Sequence, residues 1–204
     1  EKINNFKKTI EVAGDKSLSI RWALMASQAV GRSRAYNILN SEDVNSAIFS
    51  LKKLGIKIKK SKNFCEIHGK GLNSFSYKKN TVINAGNSGT FARLIMGVLS
   101  GSNNTVVIKG DNFLRVIKPL NLFGVKIISK NKKLPLKLKG TKFLRPIKYY
   151  EKKGSAQVKS CIMFAALNTN GETIIKCKKS RDHTEKLFKN LNVPIKIIKK
   201  KTLI

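Results

Sequence analysis

Apolar and polar positions follow two periods along this chain, about 3.6 and about 2, and the two take turns. Residues 17–30 place Ile20, Ala23, Leu24 and Ser27 near one face, which predicts a helix. Ala35 to Leu39 predicts a short strand. Ser41 then caps a helix over 42–54 that Gly55 closes. Ile56 to Lys60 and Phe64 to His68 predict two strands across a polar turn. The order returns with a strand at Thr81 to Ala85, a helix over 88–100, a strand at Thr105 to Ile108, a helix over 112–123 closed by Gly124, and a strand at Val125 to Ile128. A third round runs through Ile147 to Tyr150, a helix over 155–168, Thr173 to Lys176, a helix over 182–191, and Ile195 to Ile198.

The rounds share a spacing. Leu54-Gly55-Ile56-Lys57-Ile58 matches Phe123-Gly124-Val125-Lys126-Ile127, 69 residues later, and Leu191-Asn192-Val193 falls 68 residues after Phe123. Ser17, Ser88 and Ser155 open the first helix of each round. Three copies of this length predict an α/β (α+β) domain of three pseudo-symmetric helix–strand–helix–strand units rather than a solenoid. In such a domain the three hydroxyl-bearing helix starts are expected to converge on one surface.

Composition changes this picture in two places. The 204 residues carry a formal net charge of +31, which favours anionic partners. Clustered cations neutralising phosphates would make a basic nucleic-acid-binding module. Only seven of the 42 basic residues are arginine, however, and the aromatic residues, 7% of the chain, are scattered. That argues against nucleic acid and for a lysine-biased background. Cys65, Cys161 and Cys177 form no C-x-x-C pair, so neither zinc nor a disulfide framework is expected, and a reducing cytoplasm fits. No run of 18 or more apolar residues and no secretory segment stands out, so no membrane partner is expected.

The candidate chemistry sits at helix starts, where unpaired N–H groups and the helix dipole favour anions. Gly14-Asp15-Lys16-Ser17-Leu18-Ser19-Ile20-Arg21 sets a lysine and an arginine about one turn apart. Asn87-Ser88-Gly89-Thr90, with Arg93, follows a glycine turn that lets the backbone approach a ligand. Ser155-Ala156-Gln157-Val158-Lys159-Ser160 and Ser180-Arg181-Asp182-His183-Thr184-Glu185 complete the set. Each alone also reads as an ordinary capped helix with solvated charges. With two histidines in the chain, no metal cluster is expected.

Taken in order, these four segments resemble the enolpyruvyl transferase family over nearly the whole chain, most closely its members that act on shikimate 3-phosphate. The members acting on a UDP-sugar usually have Lys-Asn where Lys16-Ser17 stands here. The resemblance implies transfer of the enolpyruvyl group of phosphoenolpyruvate to the 5-hydroxyl of shikimate 3-phosphate, with phosphate leaving by addition–elimination and no cofactor. It implies two similar domains of three repeats each, with the site in the cleft between them. This chain would be one such domain: residues 1–14 an incoming strand of the other domain, and residues 15–204 the shikimate 3-phosphate-binding domain with repeats at about 15–80, 81–142 and 143–204.

By the same resemblance Lys16 would contact both substrates and is the one catalytic assignment. Ser17 and Arg21 would hold shikimate 3-phosphate, Arg21 at its carboxylate. Ser155, Ala156 and Gln157 would hold its phosphate and ring hydroxyls, Gln157 also reaching phosphoenolpyruvate. Arg181, with Ser180, would add to that site, and Asn87 and Gly89 would line the phosphoenolpyruvate pocket. The chain also departs from the family. After Gly110-Asp111-Asn112-Phe113-Leu114 the family usually continues with a Lys-Arg-Pro segment whose arginine grips phosphoenolpyruvate. Here Arg115-Val116-Ile117-Lys118-Pro119-Leu120 follows directly and matches what lies beyond that segment, so Arg115 is not expected to take the role. Deletion and an absent mobile loop are both open, with the loop favoured. Ala13 stands where proline is common. The chain ends at Ile204, where a second domain carrying the acid–base residues is expected, so the domain alone should bind shikimate 3-phosphate weakly or not at all, and not turn over. A non-catalytic relative is the remaining alternative.

Overall fold

Three sheets form from three successive stretches of chain. The structure, a computed structural model, describes residues 7–62, 64–110, 115–198 and 201–204, with backbone only at 201 and 202. The first stretch holds α1 (Lys16–Gln28), β1 (Val30–Tyr36), α2 (Glu42–Lys53), β2 (Lys57–Lys60) and β3 (Phe64–Lys70). The second holds β4 (Thr81–Asn84), α3 (Gly89–Val98), β5 (Thr105–Lys109), α4 (Ile117–Leu122), β6 (Lys126–Ser129) and β7 (Leu136–Lys139). The third holds β8 (Lys148–Glu151), α5 (Ala156–Ala166), β9 (Ile174–Cys177), α6 (His183–Asn190), β10 (Lys196–Ile198) and β11 (Lys201–Leu203). The architecture is mixed α/β.

The second and third sheets share one order, β4-β5-β7-β6 and β8-β9-β11-β10, with a parallel pair at one edge and an antiparallel hairpin beyond it. The first sheet, β1-β3-β2, is antiparallel throughout and has no counterpart of the parallel edge strand among the described residues.

The first helix of each stretch packs inward. α3 and α5 are apolar on almost every side, and a helix without a polar face must be buried on all sides. Their backbones nearly touch: a Cβ on Gly97 would lie 2.2 Å from the Cys161 carbonyl oxygen. Phe164 meets Phe188 of α6 edge-on at 5.6 Å between ring centres, and α1 adds Ile20, Ala23 and Leu24 to the same core.

Several elements differ from the sequence expectations. β1 lies at 30–36 rather than 35–39, because β3 runs on to Lys70 and the register pairs Val30 with Lys70 and Tyr36 with Phe64. Asn37, at φ 53°, ends the strand. α4 begins at Ile117, after a turn at Arg115 and Val116, while the expected start at 112–114 lies outside the described residues. The junction where the family's Lys-Arg-Pro segment is missing also adjoins them. β7 and β11 were not expected, yet Leu136 and Leu138 are buried and alternate with lysines as a half-buried strand should. Residues 7–14 form no strand, although an incoming strand was expected at 1–14. A strand persists only in a ladder, and among the described residues this segment has no ladder partner; Asn37 Nδ2 donates to its Val12 carbonyl at 2.9 Å. Residues 1–6 lie outside the described set.

Candidate active site

Each inward helix starts with a side-chain cap. Ser88 Oγ accepts from Phe91 N at 3.3 Å, and Ser155 Oγ from Val158 N at 3.4 Å. In α1 the cap is Asp15, whose Oδ1 accepts from Leu18 N at 2.7 Å. Ser17 therefore sits inside the first turn and is not the counterpart of Ser88 and Ser155. A carboxylate is as good a cap as a hydroxyl and carries the charge that the helix start favours.

Side chains from these first turns are knotted together. Arg21 is 3% exposed, and its Nε donates to Thr184 Oγ1 at 2.8 Å, Nη2 to Ser160 Oγ at 3.1 Å and Nη1 to the Ser17 carbonyl at 3.2 Å. Ser160 and Thr184 share a further bond of 2.7 Å. α1, α5 and α6 thus meet on one guanidinium. Burial, and then the charge of Arg181, push Arg21 down to about 10, with Glu185 and Asp15 pulling the other way. A second knot joins α3 to α5. Arg93 Nη1 donates to the Gly89 carbonyl at 3.1 Å and to Gln157 Oε1, while Gln157 Nε2 donates to Thr90 Oγ1 at 2.9 Å. Burial, and then Arg115, hold Arg93 below its ordinary value. Behind both, Lys159 pairs with Glu185 Oε1, with the two side chains only 6% and 5% exposed. Glu185 Oε2 has no partner among the described residues.

Over these knots lies a pocket of about 280 Å³, lined by Arg115, Ser155, Ala156, Gln157, Ser180 and Arg181, with Gly154 at its edge. Among the described residues it is lined by two arginines and no carboxylate. The Gly154 turn, at φ +68°, is what brings β8 round into the start of α5. A larger, apolar cavity of about 630 Å³ lies at the other ends of the helices, beside Met25, Ala166, Leu167 and Leu191, away from this chemistry.

The structure brings Ser155, Ala156, Gln157 and Arg181 to one pocket, reaches Gly89 through Arg93, and sets Ser17 and Arg21 in the adjoining knot. It does not bring Lys16 to them: Nζ lies 2.7 Å from Asp43 Oδ2 at the start of α2. Asn87 is exposed in the turn before α3. Sequence reasoning gave no role to Ser160, Thr184, Lys159 or Glu185. A signal was present in Lys159, a charge set just before the apolar run Cys161–Ala166 of one helix. It also set Arg115 aside, which lines the pocket. Among the described residues no group of three or more His, Cys, Asp or Glu is placed to hold a metal, and no helix is long and apolar enough to cross a membrane.

Comparison with known proteins agrees with this architecture. The family model described as EPSP synthase (3-phosphoshikimate 1-carboxyvinyltransferase) matches residues 1–204. The 3-phosphoshikimate 1-carboxyvinyltransferase of Streptococcus mutans is 43% identical over 190 residues, covering 89% of this chain and 44% of that protein. Its namesake in Streptococcus agalactiae serotype Ia is 40% identical over 195 residues, covering 91% and 45%. A solved EPSP synthase from Acinetobacter baumannii superposes with a TM-score of 0.88 at 31% identity, covering 96% of this chain and 46% of that one. The chain spans about half the length of the relatives it matches. On this match across its whole length, the chain belongs to the EPSP synthase family.

Proposed function

We propose that this chain provides the shikimate 3-phosphate-binding half of an active site that moves the enolpyruvyl group of phosphoenolpyruvate onto the 5-hydroxyl of shikimate 3-phosphate. The observation that carries this reading is that the side-chain bonds tying α1, α3 and α6 to α5 adjoin, at Gln157, a pocket lined by two arginines and, among the described residues, no carboxylate. Phosphates and carboxylates are what such a surface recognises.

In this reading Ser155, Ala156, Gln157, Ser180 and Arg181 take the phosphate and ring hydroxyls of shikimate 3-phosphate. Three of the five N–H groups of Arg21 are committed to Thr184, Ser160 and Ser17, which leaves two for the substrate carboxylate. Asn87 and Gly89 line the phosphoenolpyruvate side, and Lys16 contacts both substrates once it leaves Asp43. The 5-hydroxyl gives up its proton as its oxygen bonds to the central carbon of phosphoenolpyruvate, whose methylene takes a proton. The bond to phosphate then breaks and a proton leaves the methyl carbon, restoring the double bond. This chemistry needs neither metal nor organic cofactor. Its acid–base groups would come from a second domain, so the chain alone turns nothing over. The free buried cysteines suit a reducing cytoplasm, where we place the protein.

Calorimetric titration with shikimate 3-phosphate tests the reading. Saturable binding is expected, with a loss of about tenfold or more in Arg181→Ala, as for a charge-assisted bond. Absence of saturable binding rejects the substrate assignment. Phosphate release by the chain alone at ordinary enzyme rates rejects the half-site.

A further inference from the structure

Four of the seven arginines in this chain, Arg21, Arg93, Arg115 and Arg181, stand at the site, while the 35 lysines are spread along the sequence. A guanidinium differs from an ammonium in offering a planar fork that matches a carboxylate or phosphate at two points. Three of the four fall in segments that carry the family resemblance. Arg115 does not.

We propose that Arg115 is an anion-binding residue of this site, its guanidinium facing Arg181 across the pocket and gripping the phosphate or carboxylate held between Ser155, Gln157 and Ser180. Arg115 is exposed in the turn before α4 and borders two cavities: the 280 Å³ pocket, and a neighbouring one of about 510 Å³ lined by Lys118, Lys132, Tyr149, Tyr150 and Lys153. No described carboxylate forms an ion pair with it. Glu151, which lines the neighbouring cavity, is buried and accepts the Lys153 backbone N–H at 2.9 Å through Oε1. Arg115 also acts electrically on the start of α3, since its charge is the second cause, after burial, of the lowered pKa of Arg93. Arg181 does the same to Arg21. A bound anion relieves both repulsions at once. The fold thus sets a guanidinium at the rim of the pocket although the family's Lys-Arg-Pro segment is missing from this sequence.

The inference rests on the reading of the site above, and the test separates the two. Inorganic phosphate is titrated into the 204-residue chain and followed by ³¹P line broadening. Saturable broadening is expected, weakened about tenfold in Arg115→Ala, as for loss of a charge-assisted bond, and less so in Arg115→Lys, which keeps charge but not the fork. Lys126→Ala, which removes an exposed charge on β6, should leave it unchanged. Arg115→Ala binding phosphate as well as Lys126→Ala does overturns the assignment, and so does a wild-type chain that shows no saturable broadening. If phosphate binding depends on Arg115 but shikimate 3-phosphate does not displace it, Arg115 keeps its role and the substrate reading fails.

Discussion

The buried Lys159–Glu185 pair is costly to break and cheap to replace. Removing one partner strands the other charge where water cannot reach, which should cost about 3–5 kcal/mol, whereas an apolar pair of similar volume is often neutral. Lys159→Met is therefore expected to unfold at markedly lower urea than wild type, and Lys159→Met with Glu185→Leu to recover most of the loss. A single variant within about 1 kcal/mol of wild type would sink this account. Arg21 shows the same physics with a different outcome. Its folded-state value of about 10 lies below the ordinary arginine value, so the folded protein gives up that proton first, and stability gains from this group appear only as pH climbs above about 10. At neutral pH the buried charge is a cost, and a bound anion should raise Tm by offsetting it. On β3, Arg34 and then His68 hold Glu66 below the usual carboxylate range. That contribution is present above the ordinary carboxylate value and is lost as pH falls through the depressed one. The Tm gap between wild type and Glu66→Gln should close on acidification below the carboxylate range; a gap that stays constant to pH 2 rules out the link.

Between elements, the contact most sensitive to a single atom is α3 against α5. Gly97→Ala puts a methyl 2.2 Å from a backbone oxygen, so the helices must part, at about 1–3 kcal/mol. Urea unfolding of that variant checks it, and an unchanged midpoint would show that the helices have room. The helices were legible because their period and caps are local. Ser41, Ser88 and Ser155 announce starts that the structure keeps. β7 was not, because two leucines among lysines carry a short signal that only the register with β5 and β6 makes firm. In the site, the segments were legible and the wiring was not. Arg21 reaches Thr184 across 163 residues and Arg93 reaches Gln157 across 64, and no local pattern encodes such pairings. Lys16 read as a ligand residue from its neighbours in sequence, but Asp43, from another helix, is what it finds in the fold. Arg115 is denied the role of the Lys-Arg-Pro arginine because its neighbours match what lies beyond that segment, and its place beside Ser155 and Arg181 is visible only in the fold.

Over the whole molecule the +31 charge works against compactness. Lys126 directly opposes Lys139 on the second sheet, where like charges repel. Sodium chloride from about 0.05 to 0.5 M should raise Tm as the Debye length shrinks. A falling Tm over that range would mean that attractive pairs dominate instead. Duplex DNA binding driven by the net charge should weaken steeply with salt and be unchanged in Arg181→Ala. The buried pair behind the site also bears on descent. Two residues that can be lost together but not singly act as a record of selection. In sequences descended from this one, Lys159 replaced while Glu185 stays would mark a lineage in which folding itself had ceased to matter, before any loss at the pocket revealed it.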